Sequence, residues 1–214
     1  MFCIVISGEK GDLMKKCLGI LTFQISLMFM ILASSAYASS AKPLQFDLHD
    51  SKVDFLSIGR PAAIKIHGEG SRLEGKMTIQ DRVASGRLIF DLDSLDTDID
   101  LRNRHMKEKY LETGKFKSAE LEIEKLSIPE QIFANDTKAV AVPFSGILLL
   151  HGTKHAVQGT SEIRLASGKM TGTADFEIKL SDFKIEIPSY MGITVADVVK
   201  VTVKFAADGK ESIE

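Results

Sequence analysis

The side chains able to do chemistry in this 214-residue chain are few, and their spacing assembles no reaction centre. His151 and His155 are separated by three residues, a spacing that brings two imidazoles to one metal when it lies on a helix. Gly152 and the alternating pattern around it place the pair on a hairpin turn instead, with no third ligand nearby. Asp93, Asp96, Asp98 and Asp100 have the composition of a calcium loop. Counted from Asp93, however, the glycine at its sixth position and the glutamate at its twelfth are missing. No G-x-S-x-G elbow occurs, and Ser181-Asp182 with scattered histidines nominates no triad. These residues predict no catalytic group, no metal and no cofactor, and the chain reads as a non-enzyme.

Arg102 and His105 are the polar pair with most to offer a ligand. Residues 98–111 begin acidic, continue through Arg102, Arg104, Lys107 and Lys109, and meet a stop at Gly114, the charge order that suits a helix dipole. His105 follows Leu101 by four positions on one helical face. Turned inward, its imidazole reaches a ligand head group or a backbone carbonyl; the structural hydrogen bond is the preferred role. Arg102 has Asp96, Asp98 and Asp100 as prospective partners in bracing the loop that enters the helix.

The rest of the chain reads as an export segment followed by strands. The segment from Met14 has a basic start at Lys15-Lys16, an apolar run from Leu18 to Leu32 and an A-x-A site at Ala36-Tyr37-Ala38. Residues 1–38 therefore read as a secretory signal peptide cleaved after Ala38, with Met14 as the expected true start. Residues 18–36 are near the lower limit of a membrane span, but the cleavage site favours removal over anchoring. Both cysteines, Cys3 and Cys17, fall in that segment, so the mature chain is expected to hold no disulfide and no thiolate site. Lys and Arg number 27 against 29 Asp and Glu, a balance that argues against nucleic acid or an anionic membrane as a partner recruited by bulk charge.

From Leu44 onward apolar and polar residues alternate, the period of half-buried strands. Leu73, Met77 and Ile79 alternate with charged and polar neighbours, as do Leu88, Phe90 and Leu92, and Leu121 and Ile123. The stretch from Val140 to Leu150 is too apolar to keep both faces in water. Met170, Gly172, Ala174, Phe176, Ile178 and Leu180 oppose Thr171, Thr173, Asp175, Glu177 and Lys179 over about eleven residues, well beyond a typical strand. Val199, Val201, Val203 and Phe205 make the last strand, and Ser85-Gly86, Ser167-Gly168 and Asp208-Gly209 supply turn chemistry. Seven or more such strands close into a barrel or a sandwich. Residues 44–207 are expected to form one domain and 208–214 a C-terminal tail.

Gly75, Gly172, Ala174 and several valines fall on the candidate inner faces, and there is no Trp. Small residues there either leave room for a ligand or merely relieve crowding where strands curve, and periodicity alone leaves both open.

Two segments resemble a known family. Residues 95–106, with Thr97 and Arg102-x-x-His105, resemble the Thr-containing loop and Arg-x-x-His helix of the YceI-like family of exported lipid-binding proteins. Residues 176–183, continued by Ile187-Pro188-Ser189-Tyr190-Met191-Gly192-Ile193 and residues 195–199, resemble its C-terminal signature, and Asp50-Ser51-Lys52-Val53 with residues 146–155 extend the likeness over nearly all of the mature chain. The resemblance implies a mainly β fold: an extended lipocalin-like antiparallel barrel of about eight strands with one short helix packed beside it. It also implies a tubular apolar cavity for isoprenoid-type or fatty-acyl ligands. Family members often carry Arg where this chain has Leu180, and Gly where it has Asp98.

The resulting expectation is a periplasmic or secreted binding protein for a long apolar molecule: a polyisoprenoid, an isoprenoid quinone or a fatty-acyl lipid. Phe90, Leu92, Met170, Ala174, Phe176, Ile178 and Val201 are expected to touch the ligand, with His105 at its polar end and Tyr190 and Met191 on a wall or lid loop. A one-residue slip in any strand would exchange that strand's set for its neighbours. The alternative is a fully packed barrel that binds another envelope protein through Tyr110, Phe116 or Phe133. A homodimer is compatible with either.

Overall fold

The computed structural model of the protein describes residues 42–60, 64–133, 138–190 and 192–211, and of Tyr190 and Glu211 the backbone alone. The expected signal peptide lies outside the described residues. Among the described residues ten strands form one antiparallel sheet: β1 Leu44–Arg60, β2 Lys65–Gly70, β3 Leu73–Gln80, β4 Val83–Asp91, β5 Ser118–Ser127, β6 Val140–Leu150, β7 Thr153–Ala166, β8 Lys169–Lys179, β9 Ser189–Tyr190 and β10 Ile193–Glu211.

These close into a barrel of eight staves. β2 and β3 face β1 in one continuous register, Val53 to Gly70 and Leu44 to Ile79, so they make a single stave interrupted at Ser71 and Arg72. From there the order runs through β4, β5, β6, β7 and β8 to β10, which pairs with β1 and shuts the sheet on itself. The short β9 pairs only with the start of β10. Closure removes the open edges that an antiparallel sheet of this size would otherwise expose.

Tight turns set the staves. Asp81-Arg82, His151-Gly152 and Ser167-Gly168 each join two strands through two residues of positive φ, the conformation whose twist matches a hairpin. The turns expected at His151-Gly152 and at Ser167-Gly168 are thus found, while His155 lies within β7 opposite Leu148. Ser85-Gly86 and Asp208-Gly209 are not turns. Ser85 and Gly86 lie inside β4, where the register against β5 shifts between Ala84 and Gly86. Asp208 and Gly209 lie inside β10 opposite Asp47 and Phe46, and strand pairing continues to Glu211 opposite Leu44. Phe46 explains the glycine there: a Cβ at Gly209 would stand 2.8 Å from its ring.

The expected helix appears in two parts. α1, Asp100–Arg104, continues into a π-helical stretch, His105–Tyr110, in which the Leu111 amide donates to the Met106 carbonyl at 2.8 Å. The wider second part corrects a uniform helix over 98–111 and has a geometric effect. Leu101, His105 and Tyr110 form one row and Arg102, Met106 and Leu111 another, spaced by four and then five residues, and both rows line the interior. An unbroken α-helix would have carried Tyr110 and Leu111 off that face.

Candidate ligand cavity

The inside of the barrel has two ends of different character. At one end Phe46, Ile79, Ala84, Ile132, Val142 and Ala207 are buried in a packed core. Aromatic rings fill the room that glycines leave there: a Cβ would come within 2.7 Å of Phe205 at Gly172 and of Phe144 at Gly159. For Gly172 and Gly75 the choice left open between ligand room and relief of crowding therefore falls to relief of crowding. Phe205 occupies the space beside Gly172, and Leu88 leans over Gly75, 2.6 Å from where a Cβ would stand.

The other end is open inside. A cavity of about 500 Å³ runs beneath the helix, a volume within the range of small-molecule sites. Val53, Phe55 and Ser57 of β1, Phe90 of β4, Ile178 of β8 and Val199, Val201 and Val203 of β10 form its wall, with the helix rows as its roof. No Asp, Glu or Lys is among the described residues that line it. Ile99, Leu101 and Ser189 both line the cavity and are exposed, so they mark its mouth. A second space of about 70 Å³ lies in the packed end. Leu88, Leu121, Phe176 and Val203 border both and form the partition between them.

The roof is held by one polar knot. Thr97, buried at 2 % exposure, donates its amide and its hydroxyl to Asn103 Oδ1 at 2.8 and 2.6 Å. Asn103 Nδ2 donates to Asp96 Oδ1 at 2.7 Å, which also accepts the Asp98 amide at 2.8 Å. Hydrogen bonds from the Asn103 side chain and then from the Asp98 amide hold the Asp96 carboxyl below the usual carboxylate range. Backbone bonds in both directions between Asp96 and Glu69, 2.7 and 2.8 Å, tie the loop to β2. Arg102 does not pair with the aspartates: its Nε donates to Thr97 Oγ1 at 2.8 Å and its Nη2 to the Thr97 carbonyl. Asp96 is already engaged by Asn103, and Arg102 sits on the inward row of the helix.

A second clasp fixes the wall opposite. Asp197 on β10 accepts the Ser181 amide at 2.8 Å and the Ser181 hydroxyl at 2.7 Å, and that hydroxyl is the chief cause of its lowered carboxyl pKa. It pins the turn Leu180–Phe183, which puts Leu180 into the cavity wall. His151 is half-buried between Phe116, ring centroids 4.5 Å apart, and Glu112, whose Oε2 lies 2.7 Å from Nε2.

Of the residues expected to touch a ligand, Phe90, Leu92, His105, Phe176, Ile178 and Val201 line the large cavity. Met170 and Ala174, on the same face of β8, line the small space in the packed end. Met191 and the side chain of Tyr190 lie outside what is described. Ser57 and Asn103 were not singled out from the sequence, and Thr97 entered only as the threonine of the family-like loop. A threonine between two aspartates, Thr97, with an Asn six residues on, was the available signal for the knot.

A closed antiparallel barrel around an apolar space, with no acidic side chain and no basic one beyond Arg102 and His105 among its described lining, is the architecture of a barrel binding protein. Within that class the chain belongs to the YceI-like family, whose domain model matches residues 44–207. Solved structures share the fold. A polyisoprenoid binding domain from Saccharophagus degradans, implicated in plant cell wall breakdown, superposes with a TM-score of 0.61 at 19% identity over 79% of this chain and 100% of that one. BcnA of Burkholderia cenocepacia gives 0.60 at 15% identity over 73% and 95%. The Campylobacter jejuni YCEI protein gives 0.51 at 13% identity over 70% and 86%. No curated protein sequence matches the chain.

Proposed function

We propose that this protein is an exported, periplasmic or secreted carrier that encloses a long apolar molecule of polyisoprenoid, isoprenoid-quinone or fatty-acyl type in the larger cavity and catalyses no reaction. The observation that carries the reading is the space of about 500 Å³ under the helix, lined by Val, Leu, Ile and Phe. Each methylene buried there contributes about 0.8 kcal/mol, so a long chain is held firmly without any reactive group. The polyisoprenoid binding of the Saccharophagus degradans domain, a protein of the same fold, supports the ligand class.

The packed interaction module loses its main support. Tyr110 turns into the cavity and Phe116 covers His151, which leaves Phe133 the exposed member of that trio. Native mass spectrometry of the mature protein purified from its own envelope, with organic extraction of what it releases, tests the proposal. A stoichiometric apolar passenger is the expected result. A protein that arrives empty and takes up neither isoprenoids nor fatty-acyl chains overturns it.

A further inference from the structure

One atom in the cavity wall is out of keeping with its surroundings. Ser57 is 3 % exposed, lines the larger cavity, and is the described residue whose buried side-chain oxygen has no hydrogen-bond partner. A hydroxyl buried without a partner is costly, and in native proteins such a group nearly always has one. The other polar group buried in this wall, Thr97, is already committed to Asn103 and Arg102.

The position of Ser57 is built into the sheet. Val53, Phe55 and Ser57 are successive inward residues of β1, and Ser57 stands between Ile66 of β2 and Val199 of β10. Beyond it the register with β10 shifts, so that Gly59 faces Val195. Irregularities of this kind re-aim side chains beside binding sites. Val53 is paired with Val203, a member of the partition, which sets Ser57 four residues nearer the mouth, about 13 Å at ~3.3 Å per residue.

We infer that Ser57 is the head-group contact: the ligand carries an uncharged oxygen, as a hydroxyl, ether or carbonyl, near the mouth, and its apolar chain points down toward Phe176. The strand neighbours Ile66 and Val199 are aliphatic, and Arg102, which lines the same cavity, has its Nε and Nη2 engaged by Thr97, so the Ser57 hydroxyl suits a neutral group. This rests on the carrier reading and deepens it: the pocket distinguishes an oxygen-bearing chain from a plain hydrocarbon.

The test is displacement of the neutral fluorophore N-phenyl-1-naphthylamine from the mature protein by three chains of equal length: geranylgeraniol, its fully deoxygenated hydrocarbon and its carboxylate. The wild type should bind the alcohol about 3- to 10-fold more tightly than the hydrocarbon, the worth of one neutral hydrogen bond. Ser57→Ala should abolish that ratio and melt no lower than the wild type. Ser57→Thr, which restores a hydroxyl, should recover the preference. A wild type with equal affinity for alcohol and hydrocarbon, or a Ser57→Ala protein that keeps the wild-type ratio, overturns the inference and leaves the carrier standing. Tighter binding of the carboxylate than of the alcohol, lost in Ser57→Ala, overturns the neutral head group. Failure of all three chains to displace the probe overturns the carrier reading itself.

Discussion

Phe176 meets Phe144 edge to face, ring centroids 5.9 Å apart and planes at 84°, across the line that separates the open half of the barrel from the packed half. Phe144 belongs to the packed core, so its ring is a fixed stop against which Phe176 rests. The depth of the cavity is therefore a side-chain property, alterable without changing the strands.

Phe176→Ala is expected to join the two spaces. Stability should fall by about 3 kcal/mol, the lower end for removing a large aromatic group, because one side of the ring already faces a void. In a series of linear alcohols, the chain length at which affinity stops rising should increase. A thermal melt and the same displacement assay read both effects.

Filling the cavity should separate its two halves energetically. Val201→Phe adds bulk where there is room and is expected to leave the melting temperature unchanged or raised while weakening chain binding about tenfold, the worth of roughly two methylene contacts. Val142→Phe, at a position 1 % exposed in the packed end, should cost about 1–3 kcal/mol. Equal destabilisation by both would mean that the large cavity is not open.

Asn103→Ala should detach the helix from its loop. It leaves the buried Thr97 amide and hydroxyl without their acceptor, a loss of about 2–3 kcal/mol. Hydrogen exchange of residues 97–111 should accelerate more than that of β7 and β8, whose contacts the substitution does not touch.

Asp98 has φ of +61°, in the left-handed region that a side chain enters at a cost and that Asp tolerates better than most residues. Asp98→Gly is expected to hold or slightly raise stability, and Asp98→Val to lower it by about 1–2 kcal/mol, as read from urea midpoints.

Asp96 and Asp197 both have carboxyl pKa values lowered by hydrogen bonds from Asn103 and Ser181 respectively. A carboxyl whose pKa is lower folded than unfolded contributes stability that is complete above its unfolded value and disappears as pH falls through its folded one. The urea midpoint should accordingly drop on acidification from about pH 5 to pH 2. The pair Asp96→Asn and Asp197→Asn should flatten that slope while weakening the protein at neutral pH.

The fold was readable because period-two alternation is strong in β3, β4, β8 and β10, and because a barrel turns one inward residue into a series. The inward set on β8 is the one alternation predicts, from Met170 to Ile178. How far along that series the interior remains empty was not readable. It depends on which rings reach across, such as Phe205 over Gly172, and on a helix whose second part widens. Turn chemistry misled at Gly86 and Gly209 for the same reason: each glycine accommodates a close neighbour in a strand rather than a reversal of the chain. Ser57 was hidden because a serine in an alternating strand looks like any other polar residue until its burial is known.

The pairing of β1 with β10 runs from Leu44 opposite Glu211 to Arg60 opposite Thr194, joining the first and last strands of the domain. A chain emerging amino-terminal end first can form its hairpins in turn, but the seam waits for β10, and until then both β1 and β8 present unpaired edges. This is a contact of very long sequence separation, and such contacts slow folding. The barrel and its cavity thus come into being together, once β10 is in place, and a partner that shields bare strand edges would act before that moment and be shed after it.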